Sequence, residues 1–382
     1  MLQLTSTQPR RVVIAGGGVA AVETLLALRA APGGHLLEIA VIAPGSELVY
    51  RPLAVAEPFG RPLTRRYDLR AICADLGATL VPEALTGVAA DRRALGGDGA
   101  SLPYDALVLA TGARSEVALP HAATFGDAES DGVQWIVREL EEGLLRTIAF
   151  VVPPGAGWPL PLYELALQMS RRAWAVGASD VRLTLVTPEE GPLAVFRGTG
   201  SRAVGRLLAG AGIELISGSY GRDYDGEEVV LTPGDRRLQA DRVVALPRLR
   251  GPALAGVPCD ADGFIRIDEH SRVPGLPGVW AVGDATTSPI KQGGLATQQA
   301  DAVAAAIARG PGSFRPVDAA PPTLRAMLMT GADPLYLTAT LASGGASSAS
   351  RDCPWWPPHK IAARHLAPYL ADRSPLMPAH QH

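Results

Sequence analysis

Aromatic residues make up only 5% of the 382-residue chain, and there are three cysteines. With so few rings, a core has to be assembled mostly from Ala, Val and Leu. Cys73, Cys259 and Cys353 lie far apart, and no Cys-x-x-Cys occurs. This excludes a disulfide framework, a local redox dithiol and a zinc ribbon, and it fits a reducing, cytoplasmic setting. Neither sign of charge dominates: the formal net charge is -3 and no basic block is present. Nucleic acid is therefore not an expected partner. No run of about 18 apolar residues occurs, so no membrane-spanning helix is expected. Arg10-Arg11 ahead of residues 12–21 has the look of a twin-arginine leader. Gly16-Gly17-Gly18 and Glu23 interrupt its apolar stretch, however, and export is not expected.

What the chain has in excess is turn residues. Its 42 glycines and 33 prolines make about a fifth of the sequence, against roughly 12% in average proteins. They are scattered rather than periodic, as expected for many short elements and not for a collagen-like or low-complexity chain. The length suits two or three domains. Residues 12–15 read as a strand, Gly16-Gly17-Gly18 as a tight turn, residues 19–31 as a helix, and residues 37–42 as a buried strand of a parallel sheet. About 135 residues later the pattern returns. Residues 148–152 read as a strand, 153–159 as a Pro/Gly loop, 160–175 as a helix and 181–186 as a strand. A helix over 203–210 and a strand over 213–216 follow. Two βαβ units of this kind indicate a duplicated architecture. Residues 106–110, 243–246 and 279–282 supply further strands, and a helix is expected from Thr297 to about Ala308. The tail from Pro321 changes character, with Trp355, Trp356, several prolines, and Lys360, Arg364 and His365 among apolar residues. His359 and His365 have no partners at metal-ligand spacing.

Three glycine-bearing segments carry chemistry. Gly16-Gly17-Gly18-Val19-Ala20-Ala21 is a G-x-G-x-x-A form of the dinucleotide fingerprint. Gly16 permits the turn, Gly18 lets backbone approach a pyrophosphate, and Ala21 allows close packing of helix on strand. The free N–H groups at the helix start attract phosphate. Tyr104–Ala113 is a strand ending in Ala110-Thr111-Gly112, small enough to pass close to a cofactor. Val279–Ala285 ends in Gly283-Asp284, where the glycine gives access and the aspartate can hold sugar hydroxyls. The acid that commonly ends the second strand and binds ribose is missing, since Ala43-Pro44 stands there. Glu47 or backbone groups are the available substitutes.

Together these segments resemble the two-dinucleotide-binding-domain flavoproteins, the pyridine nucleotide–disulfide oxidoreductase superfamily. The resemblance spans residues 11–310 and implies an α/β fold. It has two Rossmann-like FAD/NAD(P)-binding domains, the second inserted in the first, plus a C-terminal capping segment. The implied spans are 1–120 with 248–315 for the FAD domain, 121–247 for the second, and 316–382 for the cap. FAD is the implied cofactor, with Gly16–Ala21 on its pyrophosphate, Asp284 on the ribityl side and the backbone near Leu85 at the adenine. Pro289–Ala300, containing Lys291-Gln292-Gly293 and Leu295, is similar to the flavin-covering segment of sulfide:quinone oxidoreductases and type II NADH dehydrogenases. Tyr50-Arg51-Pro52-Leu53 resembles the same branch, in which that loop approaches the flavin edge. A helix start there favours the negative charge of a reduced flavin, and Lys291 would add a full positive charge.

The departures from that branch bear on the substrate. A cysteine expected six residues before Tyr163-Glu164 is replaced by Trp158. In the region of a second there is only Trp135, and Cys353 alone can match the third. A sulfide route needs two positioned thiols. The loop Pro153-Pro154-Gly155-Ala156-Gly157-Trp158-Pro159 keeps Gly155-x-Gly157 but lacks the full fingerprint, and its prolines offer no N–H to a pyrophosphate. Glu189 and Glu190 are the acids placed to meet a ribose. The expected reaction is two-electron transfer through FAD from a small donor to a quinone or other small acceptor, with Lys291 and Trp158 as the catalytic candidates. An NAD(P)H-dependent reductase, a sulfide oxidoreductase using Cys353 and a non-catalytic flavin-binding protein stay open. So do peripheral membrane contact, homodimerisation and simple docking of the tail on the core.

Overall fold

The computed structural model describes residues 10–126, 131–310 and 320–373; the outermost parts of the expected spans and the junction near 315 lie outside them. The β-branched run that opens this stretch forms the strand Arg10–Ala15, whose last four side chains are buried. It pairs in parallel with Leu37–Ile42 on one side and Ala106–Leu109 on the other. Thr79–Val81 and Val279–Ala281 complete a five-stranded parallel sheet. A side chain such as Ile14, fully removed from water, contributes about 1.5–3 kcal/mol of apolar burial. Short apolar strands of Val, Ile, Leu and Ala suffice because both faces are covered, one by helices and the other by the antiparallel strands Leu85–Ala89, Arg93–Gly96 and Ser101–Pro103 with the loops around Leu254 and Ile265.

The helices in chain order are α1 (Val19–Ala30), α2 (Leu69–Asp75), α3 (Gly132–Glu141), α4 (Leu160–Ala175), α5 (Arg197–Gly210), α6 (Gly293–Ala308) and α7 (Leu366–Ala371). α1 and α6 pack side by side on the first sheet. The second sheet runs Ala123–Thr124, Arg242–Ala245, Thr147–Val151, Arg182–Val186, Ile213–Ile216 in space, again all parallel. Taken in chain order, each sheet has its earliest βαβ strand in the middle and its next strands to one side. The chain then crosses to the other side, to Ala106–Leu109 in one sheet and Arg242–Ala245 in the other. That crossing is the switch point at which open α/β sheets bind ligands. The chain leaves the first sheet after Ala106–Leu109, builds the second, and returns with Val279–Ala281.

Three elements differ from the sequence expectation. α6 begins at Gly293, four residues before Thr297, because the Gln292 side chain accepts the Leu295 N–H at 2.8 Å and caps a start made of two glycines. α5 begins at Arg197 rather than Ala203, despite two glycines in its first turns. The tail contains an antiparallel sheet of Thr323–Leu328, Leu335–Thr340 and Ser347–Ser350. Leu324, Ala326 and Leu328 alternate into the core around α4, a period of two that was visible in the sequence. The final segment is docked, not free. Ile361, Ala363, Leu366, Ala367 and Leu370 join the core around α1, so of the readings left open for the tail the structure displays docking on the core.

Two buried glutamates fasten the tail. Glu23 is the fifth residue of α1 and Glu164 the fifth of α4, and both are 0% exposed. Glu23 accepts the backbone N–H groups of His365 (2.9 Å) and Leu366 at the start of α7. Glu164 accepts Lys360 Nζ at 2.6 Å through both oxygens and the Met329 N–H at 2.9 Å. Burial pushes Glu164 up and Lys360 down, while their mutual attraction opposes both shifts. Lys360 is thus an inward cation, and it supplies no charge to a membrane surface.

Candidate functional site

At the rim of the first sheet, the turn after Arg10–Ala15 meets the end of Ala106–Leu109. Gly16 has φ +129°, and a Cβ there would stand 2.2 Å from the Ala110 carbonyl oxygen. Only glycine lets these two chains touch. Gly17 faces Leu69 and Ala43, while nothing lies within 4 Å of the Cβ position of Gly18 or of Gly112. Gly18 caps α1 without a side chain, and no acid occupies the helix's first turn. The N–H groups of Val19, Ala20 and Ala21 therefore start the helix as open donors. Thr111 Oγ1 is buried without a hydrogen-bond partner. Glu47, a substitute considered for the missing ribose acid, pairs instead with Arg66 at 2.8 Å across the ribbon Glu47–Tyr50/Arg65–Asp68. Leu85 lies buried in the core beneath the first sheet.

Gly283 turns back against Ala20 and Ala296, with φ +71°. Its N–H donates to Gln299 Oε1 at 2.7 Å, and Gln299 is held in turn by Ser288. The first and third segments are therefore neighbours at one rim. Beside them the Asp284 carboxyl is pushed up by burial, with Lys291 opposing. Lys291 donates to the Thr286 carbonyl, and its ammonium sits 3.9 Å from the Phe264 ring centroid. Burial pulls it down to about 8, while Asp284 and Asp260 hold it up. The side chain of Gln292 serves α6 and the Arg325 carbonyl of the tail. Ile361 would lie 2.8 Å from a Cβ on Gly293. Gly293 and Gly294 are the two open N–H positions at the start of α6, and Leu295 packs toward the second unit's core.

The rim of the second sheet is filled differently. Gly157 accepts the Lys291 N–H at 3.1 Å and Gly155 accepts the Leu249 N–H at 3.4 Å. A Cβ on Gly157 would fall 2.2 Å from Lys291 Cγ, so this glycine makes room for the lysine stem. Trp158 packs edge-on against Phe196, with centroids 6.1 Å apart. Arg51, Trp158 and Lys291 share the wall of a cavity of about 300 Å³. Glu189 accepts the Tyr163 hydroxyl at 3.0 Å and the Thr187 hydroxyl at 3.1 Å. It is a half-buried structural acid, where a solvated or ribose-binding one was considered. Glu190 is exposed.

A model of the family described as pyridine nucleotide-disulphide oxidoreductase matches residues 10–310. The chain belongs to this family. An NADH dehydrogenase-like protein of Mycobacterium tuberculosis is 31% identical over 298 residues, covering 72% of each chain. The ferredoxin reductase component of a chlorobenzene dioxygenase from a Cupriavidus species is 30% identical over 331 residues, 78% of this chain and 74% of that one. The solved sulfide:quinone oxidoreductase of Aquifex aeolicus superposes with a TM-score of 0.78, covering 90% of this chain and 87% of that one. Its 20% identity makes that a likeness of fold. The protein is a flavin-dependent oxidoreductase whose cofactor is FAD. The first rim suits such a group: an orphaned buried hydroxyl at Thr111, open space at Gly18 and Gly112, and helix N–H groups without a side-chain cap.

The cysteines stand apart from this rim. Cys73 is buried, and Cys259 donates to the Val257 carbonyl. Cys353 donates to the Trp355 carbonyl at 3.2 Å, and burial pushes its thiol up. Trp135 is exposed and stacked under Arg138. Among the described residues no His/Cys/Asp/Glu cluster could hold a metal ion, and no helix is long and apolar enough to cross a membrane. Sequence reasoning missed Gln299, Phe264, Glu23 and Glu164. Only the two glutamates left a signal, each a charged residue inside an otherwise apolar helix.

Proposed function

We propose that the protein passes two electrons through its FAD from a small organic donor to a quinone or another small acceptor. The observation that carries this reading is the meeting of two distant glycine turns at one sheet rim, with Gly16 against Ala110 and Gly283 against Ala20. In this assignment the open N–H groups from Gly17 to Ala21 hold the pyrophosphate. Ala110-Thr111-Gly112 flanks the cofactor, the backbone near Leu85 meets the adenine, and Asp284 accepts hydroxyls on the ribityl side. Arg51-Pro52 and the start of α6, Lys291 to Leu295, border the ring. Bound FAD supplies the two-electron carrier itself. The chain's own residues bind it, exclude water and place positive potential beside it. With its ammonium held near 8, Lys291 is mostly charged at neutral pH, and the helix start adds to its field. Trp158 shapes the donor side where the sulfide-oxidising branch carries a thiol, and sulfide chemistry through paired cysteines is not proposed.

NAD(P)H is the second reading for the donor, favoured by the nucleotide-type strand order of the second sheet. The unit boundaries proposed here, near residues 120 and 248, lie between strands of the two parallel sheets. Homodimerisation is proposed through the tail, where Trp356 is 81% exposed. An absorption spectrum followed by anaerobic titration with NADH, NADPH and sulfide tests the reading. A yellow protein that loses its colour with a small donor supports it. A colourless protein that stays so after soaking in FAD overturns it.

A further inference from the structure

The two switch points carry the same strand order, yet the backbone at the second is screened by side chains, with the Lys291 stem over Gly157 and Arg248 against Gly155. At the second, Pro153, Pro154, Pro159 and Pro161 offer no N–H, and the Leu162 N–H is taken by the Pro159 carbonyl at 3.0 Å. The carbonyls of Gly155 and Gly157 are tied to Leu249 and Lys291, and the acid nearest the rim, Glu189, is held by Tyr163 and Thr187. A dinucleotide needs a loop for its pyrophosphate and an acid for its ribose. Here the acid is engaged, and the glycine N–H groups lie behind the Lys291 and Arg248 side chains.

It does have a cavity. The space of about 300 Å³ is walled by Phe125, Trp158, Leu246 and Leu249, with Arg51 and the Lys291 stem completing it. Among the described residues no Asp or Glu lines it. Arg51 is exposed at the cavity's edge, and among the described residues its guanidinium has no hydrogen-bond or ion-pair partner, whereas the Lys291 ammonium is turned to Thr286 and Phe264. An apolar box with an unpaired guanidinium at its edge favours charge as well as shape, because that planar fork matches a carboxylate or similar anion. The volume is at the small end of the roughly 300–1,000 Å³ of ligand pockets, which suits a single-ring molecule.

We propose that this cavity is the substrate subsite and that it takes a compact organic anion, one acidic group on a flat or branched apolar body, in place of a dinucleotide. The proposal rests on the FAD reading above, and it separates from that reading in one experiment. The FAD-loaded protein is titrated calorimetrically with benzoate, its uncharged counterpart benzamide, inorganic phosphate and NADH. Benzoate is expected to bind at one site, at least tenfold tighter than benzamide or phosphate. Arg51→Gln should weaken benzoate at least tenfold, about 1.4 kcal/mol, and Arg51→Lys should restore part of it. Trp158→Ala should weaken benzoate and benzamide alike. Equal binding of benzoate and benzamide overturns the proposal, as does undiminished benzoate binding in Arg51→Gln or NADH displacing benzoate from a tighter site. A yellow protein with any of those outcomes leaves the flavin reading standing. A protein that takes up no FAD overturns both.

Discussion

The turn after Arg10–Ala15 and the turn after Thr147–Val151 occupy the same place in two sheets of the same strand order. The first is a hollow: Gly16 lies against backbone and Gly18 faces open space. The second is plugged by its own chain, with Lys291 over Gly157, Arg248 beside Gly155, and Trp158 against Phe196. Equal topology thus coexists with unequal access to the backbone. The difference lies in whether side chains or nothing stand in front of the backbone donors. The helices behind the turns are matched again, because each places a buried glutamate at its fifth position to hold the tail.

The comparison breaks most readily at the glycines. Gly16→Ala forces a Cβ against the Ala110 carbonyl at a left-handed φ. It should cost at least about 2–3 kcal/mol and abolish FAD retention, read by flavin content and urea midpoint. Gly157→Ala drives a Cβ into Lys291 Cγ and Cβ at 2.2 and 2.8 Å, but without a left-handed φ, so a smaller loss of about 1–2 kcal/mol is expected, with FAD retained. Equal losses would mean that both turns are structural. The tail comes next. Lys360→Met leaves Glu164 buried and unpaired and should cost about 3–5 kcal/mol. Lys360→Met with Glu164→Gln should recover most of that, and the same denaturation series checks it. If the tail anchorage exceeds the Gly16 effect in stability, FAD retention still separates the two, because only Gly16 adjoins the hollow.

Smaller effects sharpen the contrast. Lys291→Met removes a cation shared by both rims. It should lower the flavin midpoint potential by about 30 mV, the equivalent of about 1.4 kcal/mol in a two-electron couple, measured spectroelectrochemically. The same change should not destabilise the fold, because burial already disfavours the charged lysine. The smallest effect is pH-dependent. Burial, with Glu23 opposite, pushes the Asp301 carboxyl up to about 7, while Arg364 opposes and His365 lies 3.8 Å away. An acid raised on folding stabilises the fold at low pH, and that contribution is lost as pH climbs through about 7. Amide exchange of α7 should therefore be faster at about pH 8.5 than at about pH 6.5, beyond the intrinsic rate. Asp301→Asn should flatten the difference.

Much of this was legible along the chain. Residues 37–42, 160–175 and 213–216 were read at the bounds they adopt, because continuous apolar runs bounded by Gly and Pro leave little choice. The fingerprint Gly16–Ala21 announced its strand–turn–helix context locally. The start of α6 was misplaced because two glycines disguise a helix that a glutamine side chain caps. The tail sheet was overlooked because prolines drew attention from its alternation. Gly155-x-Gly157 looked like a worn nucleotide loop. Its contact with Lys291, 134 positions later (291 minus 157), shows a packing role that no local pattern contains.

By itself the amino-acid order determined the periodicities, the turns and hence the paired parallel sheets, since these follow from nearest-neighbour sterics and the burial of short apolar runs. Only the tertiary structure decided which rim stays hollow and which is plugged, and that the Lys360 cation points inward. Those outcomes depend on which distant side chain reaches a given volume first, and on the cost of leaving a buried charge unanswered.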